Sequence, residues 1–168
     1  RVCTDRCFSM SRFITRFADV VKIPEPHLVP VNLNDLVFSC KRFMEGMCAD
    51  RNITITLDID EELGEVKLDV ALFEQVLVNI IKNAAESIEQ NGEIKIRTYS
   101  PGGIEVADNG KGITKETGAK LFSPFFSTKP NGQGIGLIFI REVLMRHGCS
   151  FSLRTYADGW TRFRMLFN

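Results

Sequence analysis

One stretch of sequence, residues 70–90, constrains the fold more than any other. Its apolar residues recur at spacings of three and four, which is the period of one face of an α-helix. The face consists of Phe73, Val76, Leu77, Ile80, Ile81, Ala84 and Ile88. No proline or glycine interrupts the stretch, and Asn91-Gly92 ends it. The sequence therefore predicts a long amphipathic helix that must bury one face against another layer.

Strand patterns lie on both sides of this helix. Residues 53–59 alternate apolar and polar side chains with the period of a half-buried strand, and a shorter strand is predicted near residues 66–68. Residues 93–99 and 103–108 predict two strands joined by a Pro101-Gly102-Gly103 turn. Residues 150–156 and 160–167 predict a closing hairpin around Asp158-Gly159.

Three more helices are predicted outside the central one. One covers residues 134–147 and is ended by Gly148. A second helix begins after Asn32, which caps it, and runs to about residue 51. Its expected buried stripe is Leu33, Leu36, Val37, Cys40, Phe43, Met44 and Met47. A short amphipathic helix is predicted over residues 11–22, and Pro24, Pro26 and Pro30 make the segment after it a linker. These elements predict an α+β fold, a two-layer sandwich.

Composition excludes several classes of protein. Among the 168 residues, 21 Lys and Arg balance 21 Asp and Glu, so no global field would recruit nucleic acid or an anionic membrane. The five cysteines include no CxxC pair, which excludes a zinc site or disulfide scaffold of that kind and favours a cytoplasmic location. No apolar run approaches the roughly 20 residues of a membrane span. The chain begins at Arg1 rather than Met, so we expect a fragment of a longer protein.

Polar residues form a stripe along the central helix. The stripe consists of Gln75, Asn79, Asn83, Glu86 and Gln90. A solvated face is one interpretation. The other is a metal site, because asparagine is unfavourable in mid-helix and two amide oxygens one turn apart suit Mg²⁺ together with waters and phosphates.

A glycine-rich turn follows the strand over residues 103–108. It begins at Asp108 and continues through Gly110 and Gly112 to Ile113. An Asn-Gly pair after an alternating run indicates a hairpin, but no partner strand follows it here. The alternative is a base-binding site, where the Asp108 carboxylate accepts a hydrogen bond from an adenine amino group and the glycines let the ring approach the backbone.

A second glycine cluster precedes the helix over residues 134–147. The run reads Gly132, Gln133, Gly134, Ile135, Gly136, Leu137. Free N–H groups at a helix start suit phosphate, yet the spacing is neither a dinucleotide fingerprint nor a Walker loop. Residues 109–133 have no sustained periodicity, and we interpret them as a lid over a ligand. Lys129 in this lid is either a solvated loop residue or a contact to a terminal phosphate.

The order of these motifs resembles histidine kinases, within the superfamily that includes gyrase. Four segments, around residues 79–83, 108–112, 122–129 and 132–136, are similar to the N, G1, F and G2 boxes of that family. The resemblance covers about residues 32–167. Residues 11–34 are similar to the end of the second dimerisation helix and its link to the catalytic domain. We therefore expect residues 1–31 to belong to the helical region and residues 32–168 to the catalytic ATP-binding domain.

The resemblance implies a Bergerat-type sandwich, a mixed and mainly antiparallel sheet covered by three helices, with ATP and Mg²⁺ as cofactors. It implies that Asn79 and Asn83 hold Mg²⁺ and phosphates, and that Asp108 reads adenine. The other ATP-binding positions it implies are Lys82, Gly110, Gly112, Ile113, Lys129, Gly132, Gln133, Gly134, Ile135, Gly136 and Leu137. At positions 86 and 87, where family members often carry a basic residue, this chain has Glu86 and Ser87.

The implied function is a protein-histidine kinase of two-component signalling. Gyrase-like hydrolases carry a glutamate where this chain has Asn79, and an amide cannot take a proton from water. We therefore expect transfer of the γ-phosphate to a histidine on an absent dimerisation domain, with no catalytic residue assigned in this fragment itself. The expected partners are that domain, a response regulator and, in the full-length protein, a second copy. Two alternatives remain: an anti-sigma-type serine kinase, and a nucleotide-binding module that has lost catalysis.

Overall fold

The computed structural model describes residues 24–114 and 135–167. The described part contains three helices, α1 (Leu33–Asp50), α2 (Val70–Ile88) and α3 (Ile135–Arg146). Its strands are β1 (Val29–Asn32), β2 (Ile53–Asp58), β3 (Glu65–Leu68), β4 (Gly92–Tyr99), β5 (Gly103–Asp108), β6 (Ser150–Thr155) and β7 (Thr161–Leu166). The helix predicted over residues 11–22 and residues 115–133 of the predicted lid lie outside the described residues.

Five strands form one mixed sheet in the order β2-β4-β5-β7-β6. β2 runs parallel to β4, and the other three pairings are antiparallel. The parallel pair is connected through β3 and α2, since parallel strands need a crossover whereas antiparallel strands can be joined by a short turn. The predicted α+β sandwich, with a mainly antiparallel sheet and three helices, is confirmed.

The helices cover one face of this sheet and enclose the core. α2 packs on β4, β5 and both other helices, and its predicted apolar face is buried except for Ile88, which is half-buried. Along β4 the side chains at 94, 96 and 98 are buried and those at 95 and 97 are exposed, as expected for a sheet with one covered face. The opposite face of β4 to β7 carries polar and charged side chains.

α1 begins where the sequence predicts and buries less than expected. The Asn32 side chain accepts a hydrogen bond from the Asp35 N–H at 3.2 Å and so caps the helix. Phe43, predicted to be buried, is 74% exposed. The apolar stripe of α1 is wider than the surface that its packing partners cover, and Phe43 lies at an open groove between α1 and α2.

The segment around Pro30 is a strand, although its prolines predict a linker. β1 pairs antiparallel with β3 in a separate two-stranded sheet, with Pro30 opposite Lys67. A proline lacks the N–H that a central strand needs, but a two-stranded ribbon leaves one side of each strand unpaired and tolerates it. No helix among residues 24–114 and 135–167 is long and apolar enough to cross a membrane.

The N-terminus of α2 is tied to two distant segments through Asp69. One oxygen of this carboxylate accepts from the Leu72 N–H at 3.1 Å, and the other accepts from the His27 N–H at 2.9 Å. The Asp69 N–H in turn donates to Nε2 of His147, at the end of α3, at 3.0 Å. These bonds fix the start of α2, and with it the direction in which the rest of the helix points.

Candidate functional site

A cavity of about 120 Å³ lies between the C-terminal half of α2 and the sheet. Most of its walls are apolar. The apolar lining consists of Ile80, Ala84, Val106, Ile113, Leu137, Leu153 and Phe163. The polar lining consists of Asn83, Glu86, Ser87, Asp108, Lys111 and Thr161. An apolar cavity with a few polar groups is the usual form of a small-molecule site.

Asp108 is the central polar group of this cavity. It is the last residue of β5, where the strand stops at the mouth of the sandwich, and it is only 6% exposed. One carboxylate oxygen accepts from the Gly110 N–H at 2.9 Å. Burial raises the pKa of Asp108 from 3.8 to about 6, even though the hydrogen bonds from Gly110 and Ser87 act to lower it. The site therefore holds a carboxylate that gains from any ligand that donates a hydrogen bond to it.

Gly110 brings the turn after β5 against α2. A Cβ at this position would lie 2.5 Å from Ser87 Oγ and 2.6 Å from the Ser87 carbonyl carbon. The Lys111 N–H donates to the Ser87 carbonyl at 3.2 Å across the same contact. The sequence predicts that this glycine lets a ligand approach the backbone. In the structure it is helix α2 that approaches, and the absence of a side chain is what allows the turn to close there.

Gly112 and Ile113 attach the same turn to the hairpin of β6 and β7. Gly112 adopts a φ of +78°, a backbone conformation that favours glycine. The Ile113 N–H donates to Thr155 Oγ1 at 2.8 Å, and Thr155 Oγ1 lies 2.7 Å from Thr161 Oγ1. Both Gly112 and Ile113 line the cavity. The turn is thus held from the helix side and from the sheet side, which fixes one wall of the cavity.

The polar stripe of α2 divides between two surfaces. Asn83 is half-buried and lines the cavity, one helical turn beyond Asn79. Asn79 is also half-buried but lines a different groove, which α1 and α2 form beside Phe43. Lys82 is exposed and lines neither. The structure therefore brings Asn83 to the same cavity as Asp108, and leaves Asn79 and Lys82 outside its lining.

The second glycine cluster is described only in part. Lys129, Gly132, Gln133 and Gly134 lie outside the described residues. Ile135 and Gly136 begin α3, and of their side chains nothing is described. Leu137 is half-buried and lines the cavity. The start of α3 therefore lies at the same cavity as Asp108, as the order of the motifs predicts.

Three residues that support the site were not predicted. Ser87 hydrogen-bonds the Asp108 carboxylate. Thr155 anchors Ile113, and Thr161, which lies opposite Asp108 in the β5–β7 ladder, lines the cavity. Serine next to the polar stripe and threonine in strands are ordinary choices for those elements, so nothing in the local sequence separates these residues from their neighbours.

The cavity presents few polar groups to a ligand. Within residues 24–114 and 135–167, no group of three His, Cys, Asp or Glu side chains could hold a metal ion. What the cavity offers is a narrow apolar slot, one buried hydrogen-bond acceptor and an asparagine amide at its edge. This arrangement suits a flat heteroaromatic ring that carries a donor on its rim.

Comparison with known proteins identifies the family. Residues 68–168, more than half of the chain, match the model for histidine kinase-, DNA gyrase B- and HSP90-like ATPases. The chain is 28% identical over 150 residues to the sensor histidine kinase ZraS of Salmonella typhimurium, covering 87% of this chain and 32% of that protein. It is 34% identical over 121 residues to the signal transduction histidine-protein kinase AtoS of Escherichia coli, covering 70% of this chain and 20% of that protein. The chain thus spans about a third or less of these two relatives.

A solved structure supports the same assignment. The nucleotide-free catalytic domain of the histidine kinase ThkA superposes with a TM-score of 0.75 at 30% identity, over 84% of this chain and 95% of that domain. The expected resemblance is confirmed by both the fold and the sequence. The chain belongs to the histidine kinase-, DNA gyrase B- and HSP90-like ATPase family, and within it is a histidine kinase ATP-binding domain.

Proposed function

We propose that this domain binds Mg-ATP in the cavity between α2 and the sheet and donates the γ-phosphate to a histidine on a separate dimerisation domain. The observation that carries the proposal is the buried Asp108 carboxylate inside an apolar cavity, with Asn83 of α2 at its edge. The named relatives are sensor histidine kinases, which supports this direction of transfer.

The adenine base occupies the apolar part of the cavity in this proposal. Its exocyclic amino group is a hydrogen-bond donor, and Asp108 is the acceptor at the bottom of the slot. Apolar lining residues from the helices and from the turn after β5, such as Ala84, Leu137 and Ile113, would pack against the ring faces. Since Gly110 and Ser87 already hydrogen-bond the Asp108 carboxylate, the base rather than the carboxylate would adjust its position on binding.

The phosphates and Mg²⁺ extend from the cavity along the polar stripe. Asn83 lines the cavity, and Asn79 lies one helical turn away, in the groove beside α1. The two amides would together offer hard oxygens to the ion. This fits Mg²⁺, which takes few protein ligands and fills its remaining positions with phosphate oxygens and waters. When bound, the ion would neutralise charge on the phosphates. Lys82, Lys129 and the glycines at 132, 134 and 136 are the further phosphate contacts that we propose.

Transfer is favoured over hydrolysis by the chemistry of position 79. In the reaction the bond between the γ-phosphorus and its bridging oxygen breaks, ADP leaves with the electron pair, and a bond forms to an imidazole nitrogen that loses its proton. An asparagine at position 79 cannot act as a base towards water near neutral pH. The domain therefore holds and orients ATP until an acceptor arrives.

Neither histidine of the described chain suits the acceptor role. His147 uses both ring nitrogens, since Nδ1 donates to the Val143 carbonyl at 2.7 Å and Nε2 accepts from the Asp69 N–H at 3.0 Å. His27 lies in the extended segment before β1, where its backbone N–H is bound to Asp69. We propose that the acceptor lies on a dimerisation domain of the parent protein, which also pairs with a response regulator.

Phosphotransfer is tested by incubating the chain with γ-labelled ATP, alone and with a helical hairpin that carries the parent's acceptor histidine. We expect acid-labile label on the hairpin and none on the chain. The Asp108→Asn variant should label the hairpin at least tenfold more slowly at subsaturating ATP, whereas Gly64→Ala, which meets open space, should not. ATP binding without any labelling would identify a nucleotide-binding module, and label on His27 or His147 would contradict the proposal.

A further inference from the structure

The sheet face that the helices leave uncovered is divided by charge. Its β2 side carries acidic side chains, Asp58 and Glu93, of which Glu93 accepts a hydrogen bond from Thr56. The β6 and β7 side is basic. We define the arginine patch as Arg97, Arg154, Arg162 and Arg164, which project from β4, β6 and β7 on this face.

A buried carboxylate organises the centre of the arginine patch. Glu105 of β5 is 8% exposed and lies between Arg97 and Arg164 in the ladder. Arg164 Nε donates to it at 2.7 Å, while Arg162 Nε lies 3.8 Å away from its other oxygen. Arg97 Nη2 of β4 lies 3.9 Å from the same carboxylate, which therefore contacts arginines from two strands.

Tyr156 gathers three of the four guanidinium groups. The guanidinium carbons of Arg154, Arg162 and Arg164 lie 4.3, 4.9 and 4.7 Å from the centre of its ring. Three charges within 5 Å of one point lie within about 10 Å of one another, which is close to the Debye length of about 8 Å in physiological salt. Salt therefore screens their mutual repulsion only in part.

The patch keeps excess positive charge after its own carboxylates are counted. Four guanidinium groups face two carboxylates, Glu105 and Asp158, the second of which Arg162 holds in a two-point contact at 2.7 and 3.2 Å. A solvated surface of a neutral protein usually mixes the two signs. Here the arginines lie close together and are already ordered, which lowers the entropic cost of binding an anionic partner.

The aromatic rings of this face distinguish between two kinds of polyanionic partner, nucleic acid and acidic peptide. Single-stranded nucleic acid binds through free aromatic faces on which bases stack. Here a cation already covers each ring: Arg97 lies over Tyr99, Lys95 lies over Trp160, and three arginines surround Tyr156. Carboxylate side chains need no free ring. Arg162 and Arg164, two residues apart on β7, also match the roughly 7 Å repeat of alternate side chains in an extended peptide.

We propose that the arginine patch is a docking surface for an acidic segment of a partner protein. This inference goes beyond the phosphotransfer function, since the patch lies on the sheet face opposite the helices that enclose the nucleotide cavity. Arg154 is the exposed outer member, and Arg97, Arg162 and Arg164 form the ordered centre around Glu105. Docking here would leave the cavity open to ATP.

The test titrates the full chain with a fluorescein-labelled decaglutamate peptide, with decaglutamine and decathymidylate as parallel probes. We expect decaglutamate to bind, with amide chemical-shift changes confined to β4, β5, β6 and β7, and to lose at least tenfold in affinity at 0.5 M salt, a condition that screens exposed charges over about 4 Å. Decaglutamine should not bind.

Matched variants separate the patch from general charge. Arg154→Glu should weaken decaglutamate binding about tenfold, and Arg154→Gln, which keeps a stem over Tyr156, about threefold. Arg42→Glu makes the same charge change on the exposed side of α1 and should change binding less than twofold. Equal losses in both charge-reversed variants, no shift changes on this face, or tighter binding of decathymidylate there would overturn the proposal.

Discussion

Two aspartates at opposite ends of α2 have the same side chain and opposite physical roles. Asp69 caps the N-terminus of the helix in a half-buried position, and its hydrogen bond from the His27 N–H is the main cause that lowers its pKa. Asp108 lies beside the C-terminal half of the helix, where burial raises its pKa from 3.8 to about 6. Folding favours the ionised form of Asp69 and disfavours the ionised form of Asp108.

The difference shows which aspartate serves the fold. A lowered pKa means that Asp69 stabilises the folded state above its ordinary pKa near 4, and that this contribution is lost as the pH falls. The raised pKa of Asp108 has the opposite effect, because its ionised form is less stable in the folded state than in the unfolded state. The free energy of unfolding therefore falls as the pH rises from about 4 to about 6. Two pKa units correspond to about 3 kcal/mol. The proposed role of Asp108 in binding accounts for keeping a buried carboxylate at that cost.

The largest expected effect comes from Asp108→Asn. We expect ADP affinity at pH 7.5 to fall tenfold to a hundredfold, because a charge-assisted hydrogen bond in a closed cavity contributes about 1.5–3 kcal/mol. Calorimetric titration measures the loss. The ligand-free variant should unfold at a higher temperature than the wild type at pH 8 and show no such gain at pH 4, where Asp108 is protonated.

Gly110→Ala breaks the contact between α2 and the turn after β5. Its Cβ would lie 2.6 Å from the Ser87 carbonyl carbon, so α2 and the turn after β5 must separate. Overpacking of this kind costs about 1–3 kcal/mol, and we expect ADP affinity to fall at least fivefold as the cavity wall shifts. Gly64→Ala meets open space and should change neither affinity nor the unfolding midpoint. Equal behaviour of the two variants in urea unfolding would contradict this role of Gly110.

Asp69→Ala should destabilise the fold without a direct effect on the cavity. Loss of the cap costs about 1–2 kcal/mol at pH 7, which urea denaturation measures. Since the pKa of Asp69 is lowered in the folded state, the difference from the wild type should shrink at pH 3. Asp35→Ala, in the first turn of α1 but not its cap, should lose less than about 0.5 kcal/mol. ADP affinity of the folded Asp69 variant should stay within twofold of the wild type.

Ser87→Ala has the smallest effect and tests the charge state of Asp108. The Ser87 hydrogen bond lowers the pKa of this carboxyl, so its removal raises the pKa further above 6. ADP affinity falls as the pH drops through this pKa, and the fall should begin at higher pH in the variant. We expect about a threefold loss at pH 6.5 and little at pH 8.5. Ser152→Ala on the outer face of β6 is the matched control.

The sequence predicted the elements whose signals are local. The Asn32 cap, the apolar face of α2 and the Asp158-Gly159 hairpin each depend on residues close in the chain, and each lies where expected. The strand β1 was missed because its proline signal outweighs a pairing with β3 that involves residues almost 40 positions away. Phe43 was assigned to the core because periodicity gives the direction of a face but not the width of its partner.

The sequence drew attention to the candidate site through its most unusual residues. Asn83 is unfavourable in a helix, and Asp108 ends a strand next to a glycine-rich turn, so both stand out in the sequence. Ser87 and Thr155 were missed because they act across the fold, on Asp108 and on Ile113, from positions where serine and threonine are common. All the ligand contacts, those of Asn83 and Asp108 included, remain predictions.

The central claim, that Asp108 reads the adenine amino group, is tested most directly by titrating the wild-type chain with ADP and with inosine diphosphate in a calorimeter. Inosine differs by an oxygen acceptor in place of the amino donor, so it would oppose the carboxylate. We expect ADP to bind at least tenfold more tightly, and Asp108→Asn, whose amide can donate, to narrow or reverse that preference. Equal affinity of the wild type for the two nucleotides would contradict the account.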